Sequence, residues 1–524
     1  MSAEFDAIVI GAGTNGLTAA TTLAHSGRRV LLLERGPRTG GDARPVEFAP
    51  GFRAPPDALD GGWLPPRLAR ALGVAGLPRA YPEVPVQSLL PNGVALPLSH
   101  DPARTAESLR PHSARDAERW IPFTQRLRAL TGFLEALYQL PPPDIEAGDF
   151  AELPGLLGLG RRFRALGRAN MIEFLRLMPM SVRELLDDEF ETDALKAAVA
   201  SVATRDLRQG PASGGTGFVL LHHLVGSPNG APGGRGYWRD RPDALVDALE
   251  RTARGRGVAV RTEARVARIL ADDDAVRGVM LDSGEEIGAR EVFSTADPAT
   301  TLLKLVDPVW LDPEFLNAVR QIKFRGARSV ALYALEPGWR PDPSVDRTGT
   351  WVLSDGLAGL ERAADAAKYG RISDRLHLEL ACPSARWPGL APEGKEVLVV
   401  HARWTPYALR EGGSWNDAGR DALGRAVTAR LAEQFPGFAD RVIAQATLSP
   451  QDLEERYGIT EGAATHGELT LDQISFMRPV PGWGRYAMPL EGLYLAGAGA
   501  HPGPGILGGP GWLAARAAGR SRRR

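Results

Sequence analysis

Asp6-Ala7-Ile8-Val9-Ile10-Gly11-Ala12-Gly13-Thr14-Asn15-Gly16 is the stretch from which the fold can be read. Its apolar run is short enough for a buried parallel strand, and three glycines follow at Gly-x-Gly-x-x-Gly spacing. Gly11 permits a tight turn, Gly13 lets the backbone approach a pyrophosphate, and Gly16 lets a helix pack close to the strand. Peptide N–H groups at the start of that helix then face the phosphates, where the helix dipole also favours negative charge. Residues 17–26 supply the helix, Gly27 stops it, and Arg29-Val30-Leu31-Leu32-Leu33 forms the second strand. Glu34 closes that strand roughly 20 residues after the glycines, where an acid accepts ribose hydroxyls. The glycines alone would equally fit a glycine-rich turn. Strand, turn, helix, strand and acid in succession predict dinucleotide binding.

A second glycine-rich segment lies near the other end. Gly492-Leu493-Tyr494-Leu495-Ala496-Gly497 leads into Ala498-Gly499-Ala500-His501-Pro502-Gly503-Pro504-Gly505, a strand feeding a loop and a last helix. A chain that brings both ends to one cofactor reads as an FAD enzyme rather than a small NAD dehydrogenase. No second strand–glycine–helix unit accompanies it, because Gly255-Arg256-Gly257 precedes a strand instead of following one. Without a separate NAD(P) unit, the expected route is reduction by an organic substrate and reoxidation by oxygen or a quinone.

Composition points the same way. At 524 residues the chain exceeds the size of single cores, so two or more domains are expected. A formal net charge of -1 gives no electrostatic case for nucleic acid. The lone Cys382 excludes a disulfide scaffold, and no Cys/His cluster has metal spacing. No charged leader is read before Gly11, and no apolar run approaches the ~18 residues of a membrane span. The expected location is cytoplasmic, with peripheral membrane contact as an option.

The nucleotide-fold pattern is interrupted. Residues 1–100 read as a first FAD-binding segment, 101–235 as a helical substrate or lid region, and 236–300 as a second FAD-binding segment. Residues 301–475 read as a sheet-rich substrate domain, and 476–524 as the final FAD-binding segment. Residues 103–140 and 150–204 are helical blocks broken by Pro141-Pro142-Pro143, whereas 210–239 is glycine-rich and loop-like. Strands are expected at 329–335, 376–381 and 396–402, and a helix at 418–434. In the segment from Leu156 to Arg168, Leu157, Leu159, Phe163 and Leu166 alternate with Arg161, Arg162 and Arg164. It suits either a membrane surface or a domain helix with a solvated arginine face.

Several motifs resemble the phytoene-desaturase-like FAD oxidoreductases of the flavin amine oxidase superfamily, nearest its bacterial carotenoid desaturase/ketolase-like branch. They are Ala7 to Leu17, Leu33-Glu34-Arg35 with Gly40-Gly41, and Val292-Phe293-Ser294-Thr295-Ala296-Asp297-Pro298. Ala391-Pro392-Glu393-Gly394-Lys395, His466-Gly467-Glu468-Leu469-Thr470, Arg478-Pro479-Val480-Pro481-Gly482-Trp483 and Gly492 to Gly511 complete the set. The resemblance implies an α/β, glutathione-reductase-type FAD-binding fold (Rossmann-like) with an inserted mixed-sheet and helical substrate domain. It places the pyrophosphate at Gly11, Gly13, Asn15 and Gly16, and the adenosine ribose at Glu34 and Arg35. Gly40 and Gly41 would lie beside the flavin, Val266 near the adenine, and Gly497, Gly499, Gly505 and Ile506 along the ribityl chain and ring. The last helix would aim its dipole at the ring edge that gains charge on reduction. The chain departs from the family pattern at Asp42, at Trp238-Arg239-Asp240-Arg241-Pro242, and at Ala487 after Tyr486.

The implied activity is dehydrogenation of a largely apolar small molecule of polyene or secondary-metabolite type, with hydride passing to flavin N5. A ketolase-like oxygenase, a redox-neutral isomerase, an amine oxidase and a flavoprotein scaffold are the alternatives. Candidate catalytic residues are His501 in the flavin loop and a relay of His466 with Glu468, since a carboxylate can orient an imidazole. The plainer alternatives are a ring that holds the loop through a backbone hydrogen bond and a structural pair at a strand end. Arg478 reads as a charge partner inside the sheet, and His222-His223 as core or lid residues. No metal is expected.

Overall fold

A computed structural model of the chain describes residues 4–90, 95–143, 153–337, 346–410 and 412–521. Five parallel strands run in the order Ala259–Arg261, Val30–Leu33, Phe5–Ile10, Glu286–Ser294 and Leu493–Leu495. Their apolar side chains are almost fully buried, as parallel strands covered on both faces must be. The register sets Ala7 beside Val30 and Ile10 beside both Leu33 and Ser294. Glu286–Ser294 also pairs antiparallel, through its first residues, with Ala275–Leu281, which continues to Val266–Asp272. This is the expected antiparallel excursion on a Rossmann-like sheet.

Helices Thr14–His25, Ala244–Gly255 and Gly509–Ser521 pack together on this sheet, so helices distant in sequence share one layer. A Cβ on Gly511 would lie 2.1 Å from the Asn15 carbonyl oxygen, so glycine is required where the last helix crosses the first.

A second, mixed sheet runs in the order Val442–Leu448, Arg328–Leu335, Glu396–Arg403, Leu378–Ala381, Thr350–Leu353, Val86–Leu89 and Ala95–Leu98. All its pairings are antiparallel except that of Thr350–Leu353 with Val86–Leu89. Residues 1–100 therefore contribute strands to both sheets. The helical layer includes Ala114–Leu137, Val182–Glu189 and Asp193–Ala203, around a core holding Trp120, Phe123 and Phe190. Residues 210–239, read from sequence as loop, contain the helix Thr216–Leu224, buried at every position. A helix apolar on all sides gives no amphipathic period to read.

Helices Leu153–Ala165 and Gly167–Leu177 carry the basic segment. Leu157, Ile172 and Leu175 are exposed there together with Arg161, Arg162, Arg164 and Arg168. Phe150, the Leu156 side chain and the tail 522–524 lie outside the described residues. Among the described residues no helix is long and apolar enough to cross a membrane.

Candidate flavin and substrate site

Gly11, Gly13 and Gly16 do three different jobs. Gly11 has φ 90°, and a Cβ there would approach Thr295 Oγ1 to 2.4 Å. At Gly16 a Cβ would sit 1.8 Å from the Gly11 carbonyl oxygen, so helix and turn touch backbone to backbone. Gly13 is unlike both: its Cβ would meet nothing within 4 Å, yet it begins a helix with no side-chain cap. The first N–H groups of Thr14–His25 thus face open space, and the buried Asn15 Oδ1 has no hydrogen-bond partner. An uncapped helix start beside space the protein does not fill suits a pyrophosphate.

Glu34 Oε2 accepts the Ala12 N–H and Oε1 the Gly36 N–H, both at 2.8 Å. The carboxylate is therefore fixed beside the phosphate turn with lone pairs to spare. Ala264 N–H donates to the Glu34 carbonyl, which brings buried Val266, two residues on, to the same end of the sheet. Arg35 turns away and donates to the carbonyls of Glu455 and Arg456, where it ties down the end of helix Pro450–Tyr457.

The Gly40 N–H donates to the Ala12 carbonyl at 2.8 Å, and Gly40 and Gly41 both have positive φ. Beside them Arg44 is held by Asp243 and Asp247, at 2.7 and 2.6 Å. Thr295 joins the two ends of the chain: its N–H and hydroxyl both donate to the Ile10 carbonyl, and a Cβ on Gly497 would meet its carbonyl oxygen at 2.2 Å. Gly499 packs on Pro298. Gly505 accepts from the Trp63 N–H at 2.8 Å, and buried Ile506 forms a parallel bridge with Trp63. The candidate cofactor residues thus converge on one region, apart from Arg35, whose side chain leaves it.

His501 is fully buried, donates through Nε2 to the Leu140 carbonyl at 3.1 Å, and packs edge-on against Tyr138. Desolvation lowers its imidazole to about 4, so it is neutral near pH 7. His466 is half-buried with φ 54°, and desolvation lowers it as well. The expected relay with Glu468 does not form. The Glu468 carboxylate instead accepts from the N–H groups of Arg208 and Gln209 and pairs with Arg325 at 3.4 Å. Nor is the pair at a strand end: positive φ at His466 and Gly467 makes a turn that sends the side chains apart.

Arg478 has no acid partner. It is 1% exposed and donates to the carbonyls of Ala498, Gly467, Gln473 and Thr465, clamping the 465–473 segment to the cofactor loop. Desolvation pushes its guanidinium down to about 9. His222 bridges Tyr138 Oη and the Pro504 carbonyl, at 2.8 and 2.9 Å, so it supports the loop from behind.

The sequence motifs missed the charges opposite these loops. Arg235 bonds Asp60 at 3.0 Å and reaches the Gly505 carbonyl at 3.4 Å. Arg205 and Arg403 hold the fully buried Glu379 at 3.1 and 3.0 Å, and Ser201 donates to it at 2.9 Å. Arg328 pairs with Asp206 at 3.1 Å. The available signal was the placement of charge in apolar or glycine-rich surroundings: Arg235 between Gly234 and Gly236, and Arg328 at the head of Ser329-Val330-Ala331-Leu332.

Residues 9–59 match a model of the NAD(P)-binding Rossmann-like domain, and 96–509 match the flavin containing amine oxidoreductase family. The chain is 32% identical to pyridine nucleotide-disulfide oxidoreductase domain-containing protein 2 of Rattus norvegicus, over 98% of this chain and 93% of that one. It is 26% identical to a limonene dehydrogenase polypeptide of Castellaniella defragrans (98% and 94% covered). It is 24% identical to the lycopene-forming phytoene desaturase of Pseudescherichia vulneris (96% of each). Among solved structures, cyclohexylamine oxidase of Brevibacterium oxydans superposes with TM-score 0.58 at 16% identity, covering 99% of this chain and 100% of that one, a likeness of fold.

Proposed function

Because the chain belongs to the flavin containing amine oxidoreductase family and is an FAD-dependent oxidoreductase, we propose that it dehydrogenates a carbon–carbon bond of a largely apolar small molecule. The observation that carries this reading is similarity along nearly the whole chain to two proteins named for oxidising hydrocarbons, limonene and phytoene. The apolar wall beside the cofactor loop agrees with it: Trp63 and Ile506 belong to one cluster with Leu220, Leu221 and Leu224. Disulfide relay chemistry does not suit this chain, since its single Cys382 is buried in the second sheet.

When bound, FAD supplies the hydride acceptor. Gly11–Gly16 and Glu34 hold its phosphates and ribose, and Gly40–Gly41 with the 497–506 loop frame the ring. Trp63 and Ile506 keep water from the reacting bond. His501 and His222 hold the loop as neutral groups and place no cation beside the substrate. Reoxidation falls to oxygen or a quinone. We assign residues 1–100, 236–300 and 476–524 chiefly to the cofactor, and 101–235 and 301–475 chiefly to the substrate.

The test is anaerobic flavin bleaching of the holoenzyme by limonene and phytoene, with putrescine and cyclohexylamine as amine comparators. Bleaching by a hydrocarbon supports the reading; bleaching by amines alone replaces it with amine oxidation. Delivering phytoene in anionic vesicles also tests the exposed basic helix. Faster bleaching than from detergent, lost in Arg161→Glu/Arg164→Glu, indicates peripheral membrane contact, and equal rates exclude it.

A further inference from the structure

Asp57 lies in the loop after strand Phe52–Ala54, where Pro56, Ala58 and Leu59 are buried around it. Its side chain nevertheless keeps 33% of its surface while sitting deep within the protein, so that surface opens onto an interior void. Arg328 Nη1 stands 3.7 Å from its Oδ1 and is closer to Asp206, at 3.1 Å. Among the described residues the Asp57 carboxylate accepts no hydrogen bond.

Asp60, three residues on, contrasts with it. It accepts the Gly62 N–H at 2.9 Å and the Arg235 guanidinium at 3.0 Å, with Arg205 and His223 at 3.9 and 4.0 Å. Both carboxyls are desolvated. Burial with the like charges of Asp206, Asp42 and Asp60 outweighs Arg328 and raises Asp57 to about 7. At Asp60 the opposing charges of Arg235, Arg205 and His223 overcome desolvation and hold it at about 2. Two neighbouring carboxyls driven apart in this way mark one as a fixed charge and the other as a proton carrier. Asp42 follows Gly41, which approaches Gly13 Cα to 3.9 Å at the cofactor turn, and it acts electrostatically on both Asp57 and Arg328. The void that Asp57 faces therefore adjoins the cofactor loops.

We propose that Asp57 is the proton acceptor of the dehydrogenation, a role that rests on the carbon–carbon oxidation proposed above. One substrate C–H bond gives up a hydride to FAD, the two-electron acceptor. The adjacent C–H bond breaks, its proton passes to the Asp57 carboxylate, and its electron pair closes the double bond. Arg328 and Asp206 are positioning residues: the guanidinium, committed mainly to Asp206, leaves Asp57 basic enough to take a proton.

The decisive readout is pH-difference infrared spectroscopy of the holoenzyme, which detects a protonated carboxyl without turnover. The expected result is a carboxyl band with its midpoint near 7, absent in Asp57→Asn. In Asp206→Asn the midpoint moves down, because a like charge has been removed. With FAD content unchanged, Asp57→Asn should slow anaerobic bleaching by limonene or phytoene by about 10²–10⁴-fold. No band titrating near neutrality overturns the proposal whatever the bleaching result, and so does an Asp57→Asn enzyme that bleaches within about tenfold of the parent. A parent enzyme bleached by neither hydrocarbon refutes the substrate reading. A neutral-pH band that responds to Asp206→Asn in that same enzyme still supports Asp57 as proton carrier.

Discussion

Substituting Gly13 by Val separates cofactor binding from folding. The residue has φ −70° and ψ −175°, which any amino acid adopts, and its Cβ would touch no protein atom within 4 Å. Loss of glycine at a helix N-cap costs about 0.5–1 kcal/mol, so the apoprotein should melt within a few degrees of the parent. FAD feels more. A branched side chain over the helix start removes two N–H···phosphate bonds at about 1.5–3 kcal/mol each, or about 3–6 kcal/mol together. That corresponds to a rise in Kd of about 10²–10⁴-fold. Gly16→Val is the control, since its Cβ would lie 1.8 Å from a backbone oxygen and must break the turn itself. Flavin-fluorescence titration of each apoprotein, paired with its thermal melt, reads both effects. The reasoning fails if Gly13→Val binds FAD like the parent, or if it destabilises the apoprotein as much as Gly16→Val does.

Two further substitutions probe buried charge. Arg478→Met orphans four carbonyls and should cost about 3–5 kcal/mol in urea unfolding, with loss of FAD because Ala498 is released; Arg478→Lys should recover part of both. Glu379→Gln leaves Arg205 and Arg403 facing each other unneutralised and should cost about 3–5 kcal/mol at pH 7. Burial alone would raise the Glu379 carboxyl, but the two guanidiniums hold it well below the usual range. A depressed acid contributes stability above its unfolded value, about 4.3, and loses it as pH falls toward the folded one. The parent should therefore lose stability progressively below about pH 4, and a pH series of melts should show that slope flattened in Glu379→Gln.

The nucleotide turn was legible because each glycine answers a local demand, and strand, helix and Glu34 follow at fixed spacing. The meeting of the two glycine-rich segments was legible for the same reason. Val86–Leu89 and Thr350–Leu353 were not read as strands, being short runs without alternation whose pairing is set by distant partners. Thr216–Leu224 hid among glycines. His466 and Glu468 looked like partners because they are two residues apart, yet two positive-φ residues separate their side chains. Asp57, Arg328 and Asp206 are more than a hundred residues apart where it matters, and no local pattern announces such an encounter.

The crossing of Gly511 over Asn15 has a temporal meaning. The sheet begun at Phe5 gains its strand Leu493–Leu495, and the first helix its neighbour Gly509–Ser521, only after everything between them has been translated. At about 5–20 residues per second, the first glycine turn waits on the order of half a minute to a minute and a half for its partner. Flavin capture in a cell thus reports on synthesis of that late helix: a ribosome stalled anywhere before Gly509 leaves a phosphate turn with no lid, and yellow colour marks the chains that got past it.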